Sequence, residues 1–192
     1  MHIESVTLRA TVADHRKGPR EPFPQVAFAG RSNVGKSSLL NSLFGRRLAM
    51  VSKEPGKTRT INYYLVNGKM FFVDLPGYGY ARVAKTERSG WGERITAYLR
   101  DEARLRAVIG LVDPRVPDSP LDVALAALAR QIERPLVVVL TKADKLGRGA
   151  LAEASRRTTA NLGLSVAPLA FSAQTGEGKR QILSAIERYV AA

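Results

Sequence analysis

GRSNVGKSSLLN, residues 30–41, sets two glycines, an Asn and a Lys followed by two Ser between an apolar run and a leucine-rich run. It fits the pattern Gly-x-x-x-x-Gly-Lys-Ser/Thr. The preceding QVAFAG (25–30) reads as a buried strand, and KSSLLNSLFG (36–45) as a helix with Gly45 near its end. Strand, glycine-rich turn and helix are the context that a phosphate-binding loop requires. Gly30 and Gly35 allow the backbone of Arg31, Ser32, Asn33 and Val34 to turn its N–H groups inward around a phosphate. The helix N-terminus adds a favourable dipole. Lys36 would reach the β and γ phosphates, and Ser37 would ligate Mg²⁺.

Outward from this loop, apolar runs alternate with helical spacings, the sign of a βα-type sheet. INYYLV (61–66) and MFFVDL (70–75) read as strands joined by a two-residue hairpin at Asn67-Gly68. AVIGLVD (107–113), PLVVVLTK (135–142) and SVAPLAFSA (165–173) read as further strands. Helices are expected over 90–105, 119–132, 150–163 and 179–190, the second opened by Ser119 as cap and Pro120 at the first helical position. The expectation is an α/β fold with a mixed, mostly parallel sheet of six strands and helices on both faces. A seventh strand forms if HIESVTL (2–8) joins. Residues 1–24 read as an extension packed on one domain spanning 25–192. The segment 46–60 shows no periodicity and reads as a mobile loop.

Two later strand ends bear on which nucleotide the loop would take, because ligands of open α/β sheets bind at the carboxyl ends of strands. TKAD (Thr141, Lys142, Ala143, Asp144) follows the most apolar strand. A carboxylate there can accept hydrogen bonds from N1–H and the exocyclic amine of guanine; adenine offers neither donor. Asp144 is thus the candidate base reader, and the stem of Lys142 would cover the ring. SAQ (Ser172, Ala173, Gln174) ends another strand, and its backbone can contact the guanine O6. DLPG (Asp74, Leu75, Pro76, Gly77) ends a fourth, with Asp74 placed to hold Mg²⁺ through water and the Gly77 N–H to face the γ-phosphate. Upstream, Gly56, Lys57, Thr58, Arg59 and Thr60 lie in the unpatterned loop. Thr58 is the expected second hydroxyl ligand of Mg²⁺, with Thr60 as its competitor. Loops tied by the γ-phosphate and freed on hydrolysis act as GTPase switches.

Bulk properties limit the remaining choices. Thirty Lys and Arg against 17 Asp and Glu give +13, a field that favours polyanions such as RNA. Arg46, Arg47, Lys53, Lys57 and Arg59 flank the first candidate switch, either as a solvated loop or as an rRNA-facing edge. The absence of cysteine excludes disulfides and thiolate metal sites. Neither a secretory leader nor a run of ~18 apolar residues is visible, so a cytoplasmic protein without a membrane anchor is expected.

GRSNVGKSSLLN, PGKTRTIN, FVDLPGYGYA, TKAD and SAQTGEGK together resemble the EngB (YihA/YsxC) family of bacterial ribosome-biogenesis GTPases, within the Era-like group. The resemblance implies a single Ras-like P-loop GTPase domain, acting as a monomer with GTP, GDP and Mg²⁺ in assembly of the large ribosomal subunit. Tyr78 stands where Ras-type enzymes carry the water-orienting glutamine, so slow hydrolysis is expected and no catalytic base is assigned. In related potassium-activated GTPases an Asn at the place of Asn33 helps hold K⁺; the alternative for Asn33 is a local turn hydrogen bond. Asp113 and Arg115 match the family's Asp-x-Arg with a proline between, and receive no chemistry.

Overall fold

The computed structural model describes residues 1–49, 60–78, 85–116 and 118–191, without the side chains of residues 85–91. Seven strands, β1 (Val6–Val12), β2 (Gln25–Gly30), β3 (Ile61–Val66), β4 (Met70–Asp74), β5 (Leu105–Val112), β6 (Leu136–Leu140) and β7 (Leu169–Ala170), form one sheet in the order β1-β3-β4-β2-β5-β6-β7. β1 and β3, and β3 and β4, pair antiparallel; the other neighbours run parallel. Five α-helices, α1 (Lys36–Phe44), α2 (Lys85–Asp101), α3 (Pro120–Gln131), α4 (Arg148–Leu162) and α5 (Lys179–Val190), complete the α/β architecture.

Each strand of the hairpin supplies alternate side chains to two cores. Tyr64 and Phe72 pack with Phe28 of β2, with Leu39, Leu40 and Phe44 of α1 and with Ile182 and Ile186 of α5. Tyr63, Phe71 and Val73 pack on the opposite face with Ile95, Tyr98 and Leu99 of α2 and Leu125 of α3. Every residue of β2 is buried, as expected of a parallel strand covered on both faces. Both Tyr63 and Tyr64 are core residues, at 0% and 2% exposure.

Five elements depart from expectation for reasons visible in the structure. The extra strand is Val6–Val12 rather than 2–8, because Asn67 takes over the residues before it: its side-chain oxygen accepts the N–H groups of Glu4 and Ser5, and its amide donates to the His2 carbonyl. The hairpin loop holds three residues, since Val66 pairs with Met70; Asn67 and Gly68 both have positive φ (51° and 64°), and Lys69 N–H bonds the Val66 carbonyl. Helix α2 runs from 85 to 101, not 90 to 105. A turn at Glu102 releases the chain, and Leu105 is the first buried strand residue rather than the last helical one. β6 stops at Leu140, because Lys142 adopts the left-handed conformation (φ 55°). β7 has two residues instead of nine: Pro168 before it has no N–H to pair, and Val166 is exposed.

Candidate functional site

The phosphate-loop motif lies between β2 and α1, closed by two unusual backbone turns. Asn33 (φ 62°) and Gly35 (φ 110°) are left-handed, and a side chain at position 35 would strain the entry to α1. Gly30 is needed for a different reason. A Cβ there would lie 2.9 Å from Val34 Cγ1 and 3.0 Å from the Leu111 carbonyl oxygen, so the loop could not fold back against β5. The loop is zipped to the chain after β4: Ser32 N–H donates to the Tyr78 carbonyl (2.8 Å), and Tyr78 N–H to that of Gly30 (3.2 Å). Gly77 sits in this seam, where a Cβ would come within 3.1 Å of Ser32 Cα.

From the TKAD segment, Thr141 Oγ1 bonds the Val34 carbonyl (2.6 Å) and Lys142 Nζ donates to the Asn33 carbonyl (2.9 Å). With the Val34 carbonyl turned toward Thr141, the planar trans peptide turns the Gly35 N–H the opposite way. Lys36, at the first position of α1, donates to Asp74 Oδ1 at the end of β4, and both side chains are almost fully buried. Ser37 follows in the same first turn. The structure therefore brings together the predicted phosphate lysine, the predicted hydroxyl ligand's helix end and the predicted metal carboxylate. Thr60 lies just before β3 and is partly exposed. Gly56, Lys57, Thr58 and Arg59 lie outside the described residues.

Asp144 lies in a short 3₁₀ turn, Ala143–Lys145, after β6. Ser172 Oγ donates to its Oδ1 (2.7 Å), and Lys145 Nζ stands 3.4 Å from Oδ2. The Ser172 hydrogen bond, with help from Lys145, holds the Asp144 carboxyl below its ordinary range. Ser172 Oγ also accepts the N–H groups of Gln174 and Thr175, both at 3.2 Å, and Ala143 N–H bonds the Phe171 carbonyl. One serine thus shapes the loop after β7 and fixes the orientation of Asp144.

Asp113, left without chemistry by the sequence reading, stands in this site. Its Oδ2 accepts Lys142 Nζ (2.9 Å) and Arg115 Nη2 (2.8 Å), and its Oδ1 accepts Arg115 Nε (2.9 Å) and the Arg115 N–H (3.1 Å). Burial raises its pKa, but the hydrogen bonds from Arg115 and Lys142 outweigh burial and hold the carboxyl well below the carboxylate range. The signal for it was available: Asp113 follows the last residue of β5, between β2 and β6, and so obeys the same strand-end rule as Asp74 and Asp144.

Tyr78 is 5% exposed, and its hydroxyl donates to Asp122 Oδ1 (2.8 Å) in the first turn of α3. Burial and the neighbouring Asp122 raise its pKa well above the ordinary value. The Tyr78 side chain packs in the core with Leu75 and Leu99 of the same cluster. Tyr80 and the Trp91 side chain lie outside the description.

A family model described as 50S ribosome-binding GTPase matches residues 25–142. The chain is 44% identical over 187 residues to the "Probable GTP-binding protein EngB" of Syntrophomonas wolfei, an alignment covering 97% of each chain. This chain belongs to the EngB family of GTP-binding proteins. A crystal structure of an EngB protein, 23% identical, superposes with a TM-score of 0.75 over 87% of this chain and 98% of the other. Era in complex with MgGDPNP and nucleotides 1506–1542 of 16S ribosomal RNA, also 23% identical, superposes with a TM-score of 0.67 over 88% of this chain and 57% of Era. These likenesses carry the fold, a Ras-like P-loop GTPase domain, whose sheet here includes β1 as the seventh strand that the sequence allowed. No helix among its described residues is long and apolar enough to cross a membrane.

Proposed function

We propose that this EngB-family chain is a GTP-operated switch with slow hydrolysis, acting in the cytoplasm in assembly of the bacterial large ribosomal subunit. The observation that carries the reading is the meeting of three groups at the carboxyl ends of the strands: a lysine-bearing glycine loop, the buried Asp74, and Asp144 held by Ser172. In this reading Gly30 to Ser37 wrap the phosphates, Asp144 accepts the two guanine donors, and the backbone at Ala143, Ala173 and Gln174 faces O6. Gly56 to Thr60 and Asp74 to Gly77 are the segments that sense the γ-phosphate.

The donors fit Mg²⁺, which prefers hard oxygen ligands. Ser37 and Thr58 would offer hydroxyls and Asp74 a carboxylate through water. Asp74 is 4% exposed and already faces the ammonium of Lys36, so the place suits a cation. When bound, the ion neutralises phosphate charge. Slow hydrolysis is supported by the occupant of the glutamine position: the Tyr78 hydroxyl is committed to Asp122 and offers no amide to orient water. Asn33 would hold K⁺ beside the phosphates; in that case K⁺ in place of Na⁺ raises hydrolysis, and Asn33→Ala removes the increment.

The ribosomal partner rests on the family's description and on the charge of +13. It is tested by sedimentation with large-subunit precursors. Co-sedimentation with a non-hydrolysable GTP analogue and little with GDP is expected. Equal sedimentation with both nucleotides, or none with either, would remove the switch.

A further inference from the structure

Two side chains join the base-reading loop to the phosphate loop: the buried Thr141, whose Oγ1 bonds the Val34 carbonyl, and the flexible Lys142. Lys142 leaves a left-handed residue after β6 and ends with Nζ on the Asn33 carbonyl. A lysine stem has many rotamers, and one hydrogen bond to a carbonyl on the exposed side selects weakly among them. The second anchor is Asp113, and it is itself fixed on every side. Arg115 grips both of its oxygens and donates its N–H as well. The loop that carries Arg115 is stapled to α4, where Arg157 donates to the Pro114 carbonyl (3.1 Å) and Thr158 and Asn161 bond Asp118. The side chain of Asp113 is 12% exposed, that of Lys142 32%.

We propose that Asp113, oriented by Arg115, is a positioning residue for the guanine base: it fixes the Lys142 stem over the ring and so ties the base-reading loop to the phosphate loop. The proposal rests on the guanine reading above. Its chemistry is a matter of acceptors. A carboxylate has two acceptor oxygens, one edge for Arg115 and one lone pair left for Lys142. Arg115 and Lys142 have donors only. In Asp113→Asn the amide keeps one acceptor oxygen. Placed where Oδ1 accepts Arg115 Nε and N–H, it turns its two N–H donors toward Lys142 Nζ, and the lysine is released; placed where Oδ2 stands, it would set those donors against Arg115 Nε and N–H, whose position the adjacent backbone fixes.

The test is a double-mutant cycle of Asp113→Asn and Lys142→Ala, read as affinity for GDP and for inorganic tripolyphosphate. Loss of one charge-assisted hydrogen bond at a partly exposed site predicts GDP binding weakened about tenfold in Asp113→Asn. Tripolyphosphate binding should be unchanged, since it has no base to cover and reports an intact phosphate loop. In the Lys142→Ala background, Asp113→Asn should change GDP affinity by less than about twofold, the signature of a residue acting through its partner. Additive losses, or equal losses for GDP and tripolyphosphate, would make Asp113 a general prop of the fold and overturn the proposal. A wild-type protein that binds ADP as well as GDP would instead overturn the guanine reading, and this proposal with it.

Discussion

At the scale of single residues, Asp144 carries the sharpest consequence. Asp144→Asn replaces an acceptor by an amide that presents donors, so xanthine, which has a carbonyl in place of the amine, should be accepted and guanine rejected. Two hydrogen bonds to a charged group predict a loss of about 3–6 kcal/mol for GDP, checked by titration with GDP and XDP. Tyr78 gives a stability prediction. Asp122 also accepts the N–H and hydroxyl of Ser119, so Tyr78→Phe removes one of its three donors. A loss of about 1–2 kcal/mol in urea unfolding is expected, since the remaining oxygen stays buried. Asp113 gives the pH dependence. Its folded pKa is depressed, so its contribution is present above the unfolded value and is lost as pH falls toward the folded one. The stability difference between wild type and Asp113→Asn should therefore be constant from about pH 8 to 5 and shrink below about pH 4.

At the scale of elements, α3 shows what local sequence can specify. Ser119 caps it and accepts from Asp122 N–H, Asp122 accepts from Ser119 N–H, and Pro120 occupies the first helical position. Ser119→Ala should lower thermal stability by the equivalent of about 1 kcal/mol. Such boundaries were legible because cap, proline and apolar spacing all lie within a few adjacent residues; α5 and β3, which have neither a side-chain cap nor a proline, were legible from their apolar spacing. The end of α2 was not. Leu99 and Leu105 are both buried and both fit a helical spacing, and only the pairing of Leu105 with Gln25 across the sheet separates them. The candidate site was legible where a motif carries its own geometry, as in the loop from Gly30 to Ser37. Asp113 was missed because its meaning depends on Lys142, 29 residues away, and on the register of β5 with β6.

At the scale of the whole molecule, the question is where a field of +13 is put to use. Arg46 and Arg47 are exposed just after α1, at the entry to the segment that would sense the γ-phosphate. Each phosphate contact made by such residues releases counterions, so binding to ribosomal precursors should weaken steeply with salt. Changing Arg46, Arg47 and Lys53 together to Ala should reduce both co-sedimentation and its salt slope while leaving GDP affinity nearly constant. A triple variant that sediments like wild type would place the RNA-facing surface elsewhere on the domain.

The antiparallel pairing of β3 with β4 has a mechanical consequence. Asn62 lies opposite Asp74, so the chain segment that enters this ribbon at Thr60 and the one that leaves it toward Gly77 share one end of a single stiff rod. At the other end, Asn67 lashes the rod to residues 2–5. The two segments are thus joined through backbone pairing as well as through any phosphate bound between them, and a displacement of one would bear on the Asn62–Asp74 pair that both share.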